Sequence, residues 1–176
     1  MTLRGINFGA VLNASGAQGF FGEGYPYHKA WRFARLTFDK VTFVAKTTTL
    51  NQRDGNMPMQ PHSITPREFW PECIVVKPFK GVVLNAVGLS GPGLQWLLDR
   101  ELWQRMTEPF FMSFMSVEKE AEIRLEETKW YVDKLKPRLR DFKAPVGQEI
   151  NFSCPNVGLH PEELIGEVAQ TLTIMS

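Results

Sequence analysis

Four short runs suited to strands, at residues 6–12, 40–49, 110–116 and 146–150, alternate along this chain with segments long enough to be helices. That alternation restricts the fold more than any other feature. Strands joined by a two-residue turn pair antiparallel, whereas a strand that returns beside its predecessor in the same direction needs a crossover of a dozen or more residues, usually helical. The spacing therefore predicts an α/β chain of one domain, residues 1–176, with parallel strands alternating with helices. It supplies about four core strands, half the number in an eight-stranded barrel.

Each run carries its own local evidence. The first stops at Asn13-Ala14-Ser15-Gly16 and leads into a long loop rich in glycine and aromatic residues. Residues 28–38 place Trp31, Ala34 and Arg35 at helical spacing. Residues 40–49 hold Val41, Phe43, Val44 and four threonines, a β-branched and aromatic composition that predicts a strand, with Lys46 near its end. From 51 to about 80 the chain is proline-rich with no sustained period, so it reads as an excursion from the core.

An apolar run at 81–89 breaks at Gly91-Pro92-Gly93, and residues 94–103 predict a helix with Leu94, Leu97, Leu98 and Leu102 on one face. The longest helix is expected at about 117–139. Val117, Ala121, Leu125, Thr128, Val132 and Leu135 form its apolar stripe, and Glu118, Glu120, Glu122, Glu126 and Glu127 its solvated face. A last helix opens near Pro161, whose ring suits a first turn, with Glu162 and Glu163 at the positive end of the dipole.

Chemistry concentrates in Asn151-Phe152-Ser153-Cys154-Pro155-Asn156, where a thiol, a hydroxyl and two carboxamides follow directly on the strand at 146–150. A strand that ends in a polar, proline-stiffened loop is how α/β proteins present reactive groups at the carboxyl end of a sheet. The same residues also suit a buried cysteine acting as a small hydrophobe, with carboxamides capping a turn.

With 20 basic and 19 acidic residues, the net charge of +1 offers no electrostatic attraction to nucleic acid or to an anionic membrane. No run approaches the roughly 20 apolar residues of a membrane helix. Cys73 and Cys154 are the two cysteines, without C-x-x-C or histidine spacing for a metal site, and free thiols in a reducing cytoplasm are expected. His28, His62 and His160 have no ligand or triad spacing and read as surface or loop residues, and Cys73 reads as packing. A small molecule is the expected partner.

Four motifs occur together in order: Asn13-Ala14-Ser15-Gly16, the run from Lys46 to Asn56 (KTTTLNQRDGN), Asn85-Ala86-Val87-Gly88-Leu89, and Asn151 to Asn156 (NFSCPN). In order and spacing they resemble the dihydroorotate dehydrogenase family. The resemblance implies the N-terminal part of a flavin-dependent (β/α)8 TIM barrel that binds flavin mononucleotide (FMN) and oxidises dihydroorotate to orotate in pyrimidine synthesis. A base removes the C5 proton while hydride leaves C6 for the flavin nitrogen N5.

Carried over by motif, Cys154 is the base, and Lys46 meets both flavin and substrate. Ala14, Ser15, Gly16, Thr47 and Asn151 fall to the cofactor. Asn85, Ala86, Val87, Gly88 and Leu89 fall to the substrate, together with Asn151 and Asn156, whose carboxamides offer donor and acceptor to a pyrimidine edge. Cysteine rather than serine as base resembles the soluble class of the family, not the membrane-associated class with its extra N-terminal helical segment.

Three departures follow. The family's usual Pro-Asn after Leu89 is Ser90-Gly91, which removes one substrate-facing carboxamide. An arginine common after the glycine-asparagine turn is replaced by the stretch Met57-Pro58-Met59-Gln60. The later strands, with a second flavin-contacting lysine and the phosphate site, fall beyond Ser176. Either a longer product or an oligomeric partner is expected to complete the barrel; the alternatives are a catalytically silent assembly or interaction module, or a flavin oxidoreductase of a related substrate.

Overall fold

The structure is a computed structural model, and it describes residues 1–25, 28, 37–158 and 161–176. Its centre is a parallel sheet. Strand β5 (Phe110–Phe114) pairs with β6 (Val146–Ile150) in parallel register from Phe110 opposite Val146 to Phe114 opposite Ile150. On the other edge of β5 runs the segment 42–48, bridged in parallel at Val44 to Phe111 and at Thr48 to Phe114. Leu12 bridges Thr42, again in parallel. The four expected strand regions therefore lie side by side in chain order, as right-handed crossovers would place them.

The second region is extended but not a regular ladder. Between its two bridges it carries one more residue than β5 does, the mark of a bulge. Ala45 N–H still donates to the Phe111 carbonyl, and Thr48 N–H to that of Ser113, both at 2.9 Å. The bulge lets both Lys46 and Thr47 reach the carboxyl end of the sheet.

The first region is shorter than expected. Only Ile6–Asn7 (β2) is a strand, and it turns back antiparallel on Thr2–Leu3 (β1). Gly9, at φ +82°, breaks the run before Leu12 resumes contact with Thr42. The helix expected at 28–38 falls largely outside the described residues.

The end of the excursion and the apolar run after it form a hairpin, β3 (Ile74–Lys77) against antiparallel β4 (Val82–Asn85). It stands off the core: Val75, Val76, Val83 and Leu84 are exposed, and Phe79 at its tip is 105% exposed. The next helix, α1, is only Leu94–Leu98. Leu94, Leu97 and Leu98 are buried as expected, but Leu102 is 40% exposed, because Glu101 turns the chain at φ +56° after the helix has ended. Trp103 takes the interior place instead and donates its indole N–H to the Phe20 carbonyl at 2.6 Å.

The main core packs Phe110, Met112 and Phe114 of β5 against α1 and against Tyr131 and Leu135 of α2 (Ala121–Leu135). One expectation for α2 fails. Glu127 is buried, not solvated, because Ser116 donates its hydroxyl to the Glu127 carboxylate at 2.6 Å. Arg124 is buried as well and forks onto the Glu167 carboxylate, its Nε at 2.9 Å from Oε2. That pair ties α2 to the turn between α3 (Pro161–Ile165) and α4 (Val168–Met175). No helix among the described residues is long and apolar enough to cross a membrane.

Candidate functional site

Three of the four strand regions, the first, the second and β6, end at one cleft of about 520 Å³. Ala14, Ser15 and Gly16 line it after the first region, Lys46 and Thr47 at the second, and Asn151, Cys154 and Asn156 after β6. The hairpin and the loop behind it add Asn85, Val87, Gly88 and Leu89. Of the residues singled out in the sequence, Ala86 alone does not line the cleft. Its backbone is spent on structure: its N–H donates to the Cys73 carbonyl at 2.8 Å, and its own carbonyl accepts from Asn56 Nδ2 at 2.7 Å.

The floor is a chain of hydroxyls. Ser15 Oγ lies 2.9 Å from Thr47 Oγ1, which lies 2.8 Å from Ser113 Oγ. Asn151 Nδ2 donates to Thr47 Oγ1 at 3.1 Å. Ser113 also bonds the Glu149 carboxyl, which burial pushes above its ordinary range and that bond pulls back down. Ser15, Thr47, Ser113 and Asn151 thus connect the ends of four adjacent strand regions.

Among the described residues that line the cleft, Lys46 is the one cation. It is 7% exposed, its ammonium donates to the Ser90 carbonyl at 2.7 Å, and it stands 5.1 Å from the centroid of the Phe20 ring. Burial lowers its pKa to about 8, against the opposing influence of Cys154, Cys73 and Glu23. Gly16 passes close above it: a Cβ there would sit 3.1 Å from Lys46 Cγ, at a φ of +81° that disfavours any side chain.

Cys154 is a free, half-buried thiol packed beside Leu89, Met115 and Leu164, immediately before a short turn of 3-10 helix at Pro155–Val157. Asn156 donates Nδ2 to the Asn85 carbonyl at 3.3 Å, which joins the loop after β6 to the hairpin wall. The Asn85–Leu89 loop is fixed from behind by Asn56 N–H to the Val87 carbonyl and by Arg53 Nε to the Gly88 carbonyl, both at 2.9 Å.

Sequence reasoning passed over Tyr25, Ile74 and Val83, which also line the cleft, as does Ser153 of the expected loop. Tyr25 donates its hydroxyl to the Gly16 carbonyl at 3.1 Å. Ile74 and Val83 enter because the end of the excursion pairs as a hairpin with the apolar run that follows it, and only the pairing of those two runs could have signalled that. Cys73 is also a free, half-buried thiol, and burial raises its pKa above the ordinary value. Among the described residues no cluster of histidine, cysteine and carboxylates is placed to hold a metal ion.

No family model matches the chain. Individual proteins do. It is 33% identical over 143 residues to the catalytic subunit of dihydroorotate dehydrogenase B (NAD(+)) of Geobacillus sp. (strain WCH70), covering 80% of this chain and 36% of that protein. It is 32% identical over 150 residues to the subunit of the same name from Desulforudis audaxviator, covering 84% and 38%. With that of Thermoanaerobacter pseudethanolicus it shares 29% over 163 residues, covering 88% and 43%. The chain thus spans about two fifths of the length of the curated relatives it matches.

Proposed function

We infer, for a chain related over most of its length to dihydroorotate dehydrogenase B catalytic subunits, that it forms the N-terminal part of a flavin-dependent oxidoreductase. In this reading it takes part in converting dihydroorotate to orotate, on a (β/α)8 barrel of which its four strand regions are half. The observation that carries the proposal is convergence. Motifs scattered from Ala14 to Asn156 meet in one cleft at the carboxyl end of a parallel sheet, where α/β proteins place ligands.

The residues present fit FMN. Ser15, Thr47 and Asn151 offer hydroxyl and amide groups at the floor, Gly16 clears a backbone path, and Lys46 supplies positive charge. When bound, the flavin accepts hydride from the substrate. The chain's own residues do the rest. Cys154 takes a proton from the substrate carbon, a contribution of about 10²- to 10⁴-fold for a placed base. Lys46 holds charge beside the reacting ring from a side chain that is itself buried. Asn85, Asn151 and Asn156 orient the ring by its amide edges, and the Gly88–Leu89 backbone approaches closely.

The relatives' names carry NAD(+), and we take it as the final electron acceptor of the assembled enzyme, in a soluble cytoplasmic setting. Strand β6 is half-buried along its whole length and pairs only with β5 among the described residues. We read it as the edge to which the remaining strands, or a partner chain, would add. A second reading draws on the same edge and on the short span relative to the relatives: an assembly module without turnover of its own.

Incubation with FMN followed by gel filtration separates the two. The enzymatic reading expects bound flavin that is bleached anaerobically by dihydroorotate. A folded chain that elutes colourless, at any FMN concentration tested, overturns that reading for this polypeptide and leaves the assembly one.

A further inference from the structure

Ser90 stands where the family resemblance would put proline, and nothing in the motif assigns it a role. It is wholly buried. Its hydroxyl donates to the Val87 carbonyl at 3.0 Å and accepts from the Met57 N–H at 3.1 Å. Its own carbonyl is the acceptor of the Lys46 ammonium at 2.7 Å. Three stretches distant in sequence therefore meet at one residue: the start of the excursion, the Asn85–Leu89 loop and the strand end that carries Lys46.

The meeting point is held against strain. Leu89, immediately before it, has φ +58°, a left-handed conformation that residues with a side chain rarely adopt. The approach is also close. A Cβ on Gly55 would lie 2.4 Å from Ser90 Oγ and 2.6 Å from the Val87 carbonyl. On the far side Gly91 packs on Phe20, the ring under the ammonium, and a Cβ there would lie 2.8 Å from Phe20 Cζ. The departure to Ser90-Gly91 is thus explained by packing: glycine admits the Phe20 ring, and serine brings a hydroxyl that proline lacks.

We propose that Ser90 is a positioning residue for Lys46, its carbonyl fixing the ammonium over Phe20 and its hydroxyl holding that carbonyl in place. The catalytic meaning rests on Lys46 being the cation of a flavin site, but the positioning itself does not. The titratable groups around the ammonium are Cys154, Cys73 and Glu23, and none of them is altered by changing Ser90.

Lysine side-chain ¹³C NMR tests it, with the Lys46 signal assigned by its loss in Lys46→Met. In Ser90→Ala the carbonyl that accepts from the ammonium remains but is no longer pinned by the hydroxyl, and the titration midpoint is expected to fall, by up to about one pH unit, the limit set by losing a hydrogen bond to a charged group. Arg53→Gln, which removes the bond to the Gly88 carbonyl in the same loop, is expected to leave the midpoint where it is. Gly55→Ala drives a methyl into the Ser90 hydroxyl from the other side; it should lower the midpoint too, and it serves if Ser90→Ala does not fold. An unchanged or raised midpoint in the folded Ser90 or Gly55 variant overturns the proposal, as does an equal fall in Arg53→Gln. The titration needs neither FMN nor substrate, so the role of Ser90 is decided even if the chain fails to bind flavin.

Discussion

Asn151 donates its side-chain N–H to Thr47 Oγ1 at 3.1 Å across 104 positions of sequence. Thr47 in turn meets Ser15 and Ser113, so one buried hydroxyl joins the ends of four neighbouring strand regions. The carboxyl end of the sheet is held together by polar contacts, while its helix-facing side is held by Phe110, Met112 and Phe114.

Removing that hydroxyl while keeping the shape should be costly. Thr47→Val leaves Ser113 and Asn151 without their shared partner in a buried place, and about 1–3 kcal/mol of stability is expected to be lost. Urea denaturation reads it. A loss within error of zero would mean that water or a rearranged Ser113 takes over the bonds.

Lys46 makes stability depend on alkaline pH in an unusual direction. Its folded pKa of about 8 lies below the ordinary 10.5 because burial penalises the charged form. Below about pH 8 both folded and unfolded chains carry the proton, and the burial cost is present in full. Between about 8 and 10.5 the unfolded chain keeps a proton that the folded chain has released, so stability rises with pH across that window, by up to roughly 3 kcal/mol. The difference between wild type and Lys46→Met, followed by denaturation from about pH 7 to about pH 10, should show this rise; a difference that stays flat contradicts a buried ammonium.

The Arg124–Glu167 pair predicts a different kind of sensitivity. Both side chains are almost wholly buried, at 6% and 11% exposure, so Arg124→Met strands the Glu167 carboxylate away from water. Breaking one side of such a pair costs about 3–5 kcal/mol. Replacing both residues with apolar ones of similar size should recover much of it. Thermal denaturation of the single and double variants checks both statements, and the double variant being no better than the single would show that the charges themselves are needed.

For Cys154, loss of the thiol should separate chemistry from binding. Cys154→Ala in flavin-loaded protein is expected to slow flavin reduction by about 10²- to 10⁴-fold while FMN stays bound. Reduction at the wild-type rate would remove Cys154 from the mechanism.

How much of the fold and the site was legible in the sequence follows from the range of each interaction. The strand at 110–116 and the apolar residues Leu94, Leu97 and Leu98 were readable because burial on both faces leaves a local composition signal. Leu102 and Glu127 were misread because local spacing cannot report that a helix has stopped at Leu98, or that Ser116 supplies a buried partner for a carboxylate. The bulge at Lys46–Thr47 was invisible for a similar reason: it is defined by the register against Phe111 and Phe114, not by the run itself.

By itself, then, the sequence determined the chain order of parallel strand regions and the residue types waiting at their ends, since periodicity and motif spacing are local properties. Only the tertiary structure decided that Lys46 is buried against Phe20 and Ser90, that Ile74 and Val83 wall the cleft, and that Ala86 is turned to structural use. These depend on close approaches at Gly55 and Gly91 and on hydrogen bonds between segments far apart in sequence, and the free energy of such contacts exists only once the chain has folded.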